Sequence, residues 1–176
     1  MANPLGQYLN SSAPFEQYLT QAGDGTGAAN ANGNYSGGAT TWYIQPASDE
    51  TILVSSMLLQ IADSGIFAVT DYGSIAGGLL NGISIRSRIN NITRNITGGA
   101  IINNNWELSS VVDDFRVVLG PSGNNWFMRA QWNFYERFGV PLVLEGFQND
   151  RIEIILNDNF TGLDSHTFTV FGGIIS

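Results

Sequence analysis

Between Asn124 and Glu136 the chain reads NNWFMRAQWNFYE, and Trp126, Met128, Ala130, Trp132 and Phe134 fall on every second position. A period of two is the signature of a pleated strand with one apolar face. Phe127, Arg129, Gln131 and Asn133 take the other face, a polar-aromatic set suited to an interface. Short apolar runs of the same texture recur from Thr41 onward: TWYIQP, ETILVSSMLLQIAD, IFAVTDYG, LLNGISIRSRI, NITGGAIINNNWEL, DDFRVVLG, VPLVLEG, RIEIILND and HTFTVFGGII. In the second of these, Leu53, Met57, Leu59 and Ile61 share one parity. Gly, Asn and Asp punctuate the runs at intervals of about 8–15 residues, the spacing of a sandwich or barrel. Helical periodicity is weak throughout; at most a short turn of helix fits Glu107 to Val112. The expected fold is all-β: a jelly-roll β-sandwich of about eight antiparallel strands over residues 41–176, preceded by an extended N-terminal arm over residues 1–40.

The arm differs in kind from the rest. Its only charged side chains are Glu16 and Asp24, and residues 21–40 (QAGDGTGAANANGNYSGGAT) are nearly all small and polar. Such a stretch buries too little apolar surface to offset its own ordering entropy, so it is expected to be flexible or to lie extended on something else. A short repeat sits within it. Pro4-Leu5-Gly6-Gln7-Tyr8-Leu9 is echoed by Pro14-Phe15-Glu16-Gln17-Tyr18-Leu19. The repeat is either a coincidence or two short turns packing on the domain, or else a pair of equivalent anchors that dock on two equivalent sites; the second reading nominates Leu5, Tyr8, Leu9, Phe15, Tyr18 and Leu19.

Charge narrows the partners. All 7 basic residues are arginine, there is no lysine, and the net charge is −8. Nucleic acids and anionic membranes are bound through clustered Lys and Arg, so neither is an expected partner. With no cysteine, thiolate chemistry and Cys-ligated zinc are excluded. No apolar run approaches the ~18 residues of a membrane span. The opening MANPLGQYLNSSAPF has no basic and then apolar region, so no signal peptide is expected.

The densest candidate chemistry lies in RIEIILNDNFTGLDSHTFTV, residues 151–170, which holds the single histidine, His166. Ser165 and His166 are neighbours in a strand pattern and point to opposite faces, so they do not form a nucleophile–base pair. An EF-hand alignment of Asn157, Asn159 and Thr161 fails because the twelfth position is Phe168 rather than Glu. A different cation site built on Asp158 and Asp164 is the remaining metal option. The reading that explains most is strand, loop, strand, with Thr161-Gly162 supplying turn chemistry and tolerance of positive φ. A glycosidase would need two carboxylates at a set separation, and Glu107, Asp113, Asp114, Glu136, Glu145, Asp150 and Glu153 contain no evident pair. No enzyme, metal or cofactor is expected. Trp42, Trp106, Trp126 and Trp132 offer either core packing or a sugar-stacking platform.

The C-terminal half resembles a known group. Arg129–Trp132, the run Gly139-Val140-Pro141-Leu142-Val143-Leu144-Glu145-Gly146, and Leu156–Leu163 followed by His166 and Phe168 are similar to segments of small virion proteins of tailed bacteriophages. Upstream, DSGIFAVTDYG and LLNGISIR are similar to the same group. The likeness covers roughly residues 41–173 and leaves out the arm. It implies a capsid decoration (cement) protein of jelly-roll type, without catalytic residues. Such a protein braces the outer surface of the shell in the virion, with the major capsid protein and its own copies, as dimer or trimer, as partners. The alternative it leaves open is a carbohydrate-binding jelly-roll module of a phage fibre, tail or baseplate.

Overall fold

The computed structural model describes residues 13–18, 20–21, 30–64, 68, 71–75, 77–96, 114–119 and 126–175. In chain order these form β1 (Ala13–Tyr18), β2 (Thr20–Gln21), β3 (Thr40–Ile44), β4 (Thr51–Asp63), β5 (Ile83–Ile89), β6 (Ile92–Asn95), β7 (Asp114–Leu119), β8 (Trp126–Asn133), a one-turn helix α1 (Phe134–Phe138), β9 (Leu142–Glu145), β10 (Arg151–Leu156) and β11 (Ser165–Ile175). Two antiparallel sheets result among the described residues. Sheet A runs β1-β11-β4-β8-β7, with β9 also on β4; sheet B runs β2-β3-β10-β5-β6. The expected all-β sandwich is what the chain forms. Jelly-roll winding is a finer statement that these strand orders do not establish.

The core follows from the alternation. Met128, Ala130 and Trp132 of β8, Phe168 and Val170 of β11, and Ile83 and Ile85 of β5 are all buried, together with Ile152, Ile154 and Leu156 of β10. A fully buried aliphatic or aromatic side chain of this size contributes roughly 1.5–3 kcal/mol. Trp42 and Trp132 belong to this core, so neither belongs to an exposed sugar platform. Trp126 is half-buried and Trp106 lies outside the described residues.

One expected parity is corrected. In β4 the inward residues are Ile52 and Val54, then Met57, Leu59 and Ile61. The switch from even to odd occurs at a β-bulge: Phe171 pairs with Ser56 but Gly172 pairs with Val54, leaving Ser55 as the extra residue. The Ser55 hydroxyl donates to the Phe171 carbonyl at 2.9 Å and ties the bulge. Leu53 is therefore outside the inward series, although it too is buried.

Two other expectations shift. β8 ends at Asn133, and the chain enters α1 instead of continuing as a strand. The Asn133 side chain accepts from the Glu136 N–H at 3.2 Å, and Gly139 closes the helix in the left-handed region at φ 72°. Phe134 stays buried even so. In the IFAVTDYG run, the described residues form a turn bridged between Ala68 and Gly73 rather than a named strand. The Glu107–Val112 turn of helix falls outside the described residues.

Two connections among the described residues are tight. Asn90 and Asn91 both have positive φ, the backbone a two-residue hairpin between β5 and β6 requires. Asp150, buried beneath, accepts from the Asn90 N–H at 2.8 Å and the Glu145 N–H at 3.2 Å. Gly146 is obligatory for a different reason: a Cβ there would run into the Ala47 carbonyl oxygen.

Candidate functional site

His166 is fully buried at the start of β11. Its Nδ1 lies 3.2 Å from the Ala31 carbonyl, which can only accept, so Nδ1 carries the proton. Nε2 is then an acceptor, and the Tyr72 hydroxyl donates to it at 2.8 Å. Phe160 stacks on the imidazole at 4.7 Å, while Phe168 and Tyr72 meet it edge-on. Burial pushes the imidazole down to about 4, with the Ala31 carbonyl pulling the other way. Burial also lifts the Tyr72 phenol well above its ordinary value. A neutral imidazole with both nitrogens engaged has no nucleophile to activate; its work here is structural.

The backbone around it is latched as well. The Ala31 N–H donates to the His166 carbonyl at 2.7 Å, and the His166 N–H to Asn30 Oδ1 at 2.9 Å. Ala31 is fully buried, so packing on the sandwich extends upstream of Thr41.

Asp158 works in the same way. Its buried carboxylate accepts from the N–H groups of Leu80 (3.2 Å), Asn81 (3.1 Å) and Gly82 (2.5 Å). The Asn81 amide returns a bond to the Asn157 carbonyl at 3.1 Å. Asn159 Oδ1 accepts from Thr161 N–H and hydroxyl, closing an Asx turn. The loop is thus a turn, as expected, but one whose carboxylate and phenyl ring hold other segments. Gly162 does not use positive φ; left-handed backbone falls instead at Tyr72, Gly73, Gly77, Gly78 and Gly82 on the facing loop. Asp158 is spent on backbone donors, and Asp164 accepts from the Ser64 hydroxyl at 3.2 Å. Among the described residues no group of three or more His, Asp or Glu side chains is placed to hold a metal ion.

Within the similar segments, Asp63, Tyr72, Asp158 and His166 are latches. Asp63 accepts from the Ser74 N–H at 2.8 Å, Tyr72 meets His166, and Leu80-Asn81-Gly82 meet Asp158. The upstream and downstream similar segments dock on one another.

The interface candidates lie on the outer face of sheet A. Arg129 is exposed, and Phe127, Gln131 and Asn133 are half-buried. Asn133 is committed to capping α1. Of the arm anchors, Phe15 and Tyr18 fall in β1, while Leu5, Tyr8, Leu9 and Leu19 lie outside the described residues. Tyr18 pairs with Thr169, Thr169 with Leu58, and Leu58 with Gln131. One row of the sheet thus joins an arm anchor to the interface set. Phe15 pairs with Gly172, one of the two adjacent glycines of β11.

Two surfaces were not anticipated. One is an apolar cleft of about 600 Å³ where β5 and β6 face α1, lined by Ile89, Ile92, Ile96, Phe134, Phe138 and Leu142. Phe138 is 62% exposed and Ile92 57%. The other is the outer face of sheet B, where Arg86 and Arg151 both grip the buried carboxylate of Glu153, at 2.6 and 2.8 Å. Burial pushes that carboxyl up, but the bonds and charge of the two arginines outweigh it and hold it below the ordinary carboxylate range. The signal was present as alternation: Arg86-x-Arg88 and Arg151-x-Glu153 share the outward parity of their strands.

No protein-family model matches the chain, and no curated protein matches it.

Proposed function

We propose that this chain is a structural virion protein: it decorates and braces the outer surface of a tailed-phage capsid as a homo-oligomer, with its N-terminal arm contacting neighbouring subunits. The observation that carries the reading is the fate of the repeat. Its second unit is used as a strand, since Pro14 to Tyr18 lie in β1 and pair along the β11 edge. A segment of matching pattern, Pro4 to Leu9, is then suited to add to an equivalent edge on a neighbour. Main-chain bonds supply affinity in strand addition and alternate side chains supply specificity. Copies repeated on a symmetric shell need only modest contacts each.

Further support comes from the latches. The buried polar side chains of Asp158 and His166 are spent on holding distant segments together, which suits a brace. The exposed Phe138 and Ile92 are of the kind that mark protein contacts. The sugar-stacking alternative keeps at most two of its four tryptophans, since Trp42 and Trp132 are in the core.

The test is occupancy. Particles stripped of the protein are incubated with the wild type or with a Tyr8→Ala, Tyr18→Ala double variant, and bound copies are counted. The variant is expected to keep its melting temperature within a few degrees and lose shell binding. Wild-type occupancy by the variant would end the arm reading.

A further inference from the structure

Three of the seven arginines, Arg86, Arg88 and Arg151, stand on the outer face of sheet B. With Glu153 among them the face carries a formal +2, in a chain whose total is −8. Arg88 and Arg151 are direct cross-strand partners. Like charges in that position repel, and they are tolerated best when an anion lies between them. Glu153 answers Arg86 and Arg151. The bond from Arg88 Nη2 goes to the Asn91 side-chain oxygen at 3.1 Å, a neutral acceptor.

These groups line a groove of about 470 Å³, together with Thr41, Tyr43 and Gln45. Its volume falls within the range of small-ligand sites. Arg151 lies over the Tyr43 ring at 5.8 Å, within reach of a cation–π contact. Arginine's planar fork matches a carboxylate with two parallel bonds. Glu153, fixed in the same groove, disfavours a dianion such as phosphate more than a monoanion. The neutral partners, a hydroxyl on Thr41, a phenol on Tyr43 and an amide on Gln45, suit ring hydroxyls.

We propose that this groove binds a carboxylate-bearing saccharide, with Arg88 and Arg151 on the carboxylate and Thr41, Tyr43 and Gln45 on hydroxyl groups. The proposal does not rest on where the protein sits in a particle. It is also distinct from the tryptophan platform, because the recognising groups are arginines.

The full-length chain is titrated calorimetrically with trigalacturonate, a glucuronate disaccharide and sialyllactose. Each is paired with its methyl ester, and hexaglutamate and inorganic phosphate are run alongside. At least one acidic saccharide is expected to bind and its ester to bind about tenfold more weakly or worse, as loss of a charged bidentate contact implies. Arg88→Glu places a carboxylate opposite Arg151, so it should abolish saccharide binding while leaving the melting temperature no lower than wild type. That combination separates a lost site from a lost fold. Binding of none of the three saccharides, equal binding of acid and ester, or equal or tighter binding of hexaglutamate or phosphate would each overturn the proposal. So would undiminished binding by the Arg88→Glu chain.

Discussion

At the scale of single residues, the molecule is held by a few buried polar groups whose partners lie far away in sequence. Asp158 is the clearest. Replacing it with Ala strands the buried Gly82 N–H and removes the partner of the more exposed Leu80 and Asn81 N–H groups. An orphaned buried donor costs about 1–3 kcal/mol, so Asp158→Ala should lose about that much in urea unfolding. A loss below about 1 kcal/mol would mean water replaces the carboxylate. His166 makes a pH prediction. The unfolded chain takes up the histidine proton near 6.5, while the folded site resists it until about 4. Stability from this group is complete above the unfolded value and is lost as pH falls through the window from 6.5 to 4. The loss is about 3 kcal/mol at about 1.4 kcal/mol per unit. Unfolding titrations at pH 7.5 and 4.5 check the slope, and the imidazole resonances of the folded chain should not titrate above pH 5. None of these latches was legible in the sequence. They join residues such as Tyr72 and His166, which are 94 positions apart, and side-chain-to-backbone bonds leave no periodic trace.

At the scale of elements, alternation carried most of what the sequence revealed. The inward sets of β8, β10 and β11 follow directly from a period of two. The same pattern misled in two places. In β4 the Ser55 bulge reverses parity, and nothing in ETILVSSMLLQIAD distinguishes a bulge from a continuous strand except the doubled serine. After β8 the alternation continues through Phe134, although Asn133, Glu136 and Gly139 stand at the positions of a helix cap, a third helical residue and a left-handed stop. The bulge is testable. Ser55→Ala removes only the bond to the Phe171 carbonyl and should cost about 1 kcal/mol. Deleting Ser55 puts Ile52, Val54, Met57, Leu59 and Ile61 on one parity and leaves every β9 and β11 pair as it is. The deleted chain should therefore keep a cooperative melt. Loss of the cooperative melt would show that the bend at the bulge, and not the register alone, is needed to close the sheet.

At the scale of the whole molecule, two sheets close over one core, and the N-terminal segment adds an outermost strand to each: β1 to sheet A and β2 to sheet B. Sheet edges are where chains recruit other chains, and the second unit of the repeat already serves as an edge strand, which supports the proposed assembly role of the arm. The arginine face was within reach of the same period-two reading that found the core, but only pairing of β5 with β10 brings Arg88 opposite Arg151. We propose for this protein a place on a capsid shell. Cryo-electron microscopy of particles from the source, refined with the capsid symmetry, tests it most directly. The prediction is density for the sandwich on the outer surface of the shell, with residues 1–12 continued as a strand on a neighbouring subunit. Density confined to a tail or fibre tip, or no copy on the particle, would contradict it.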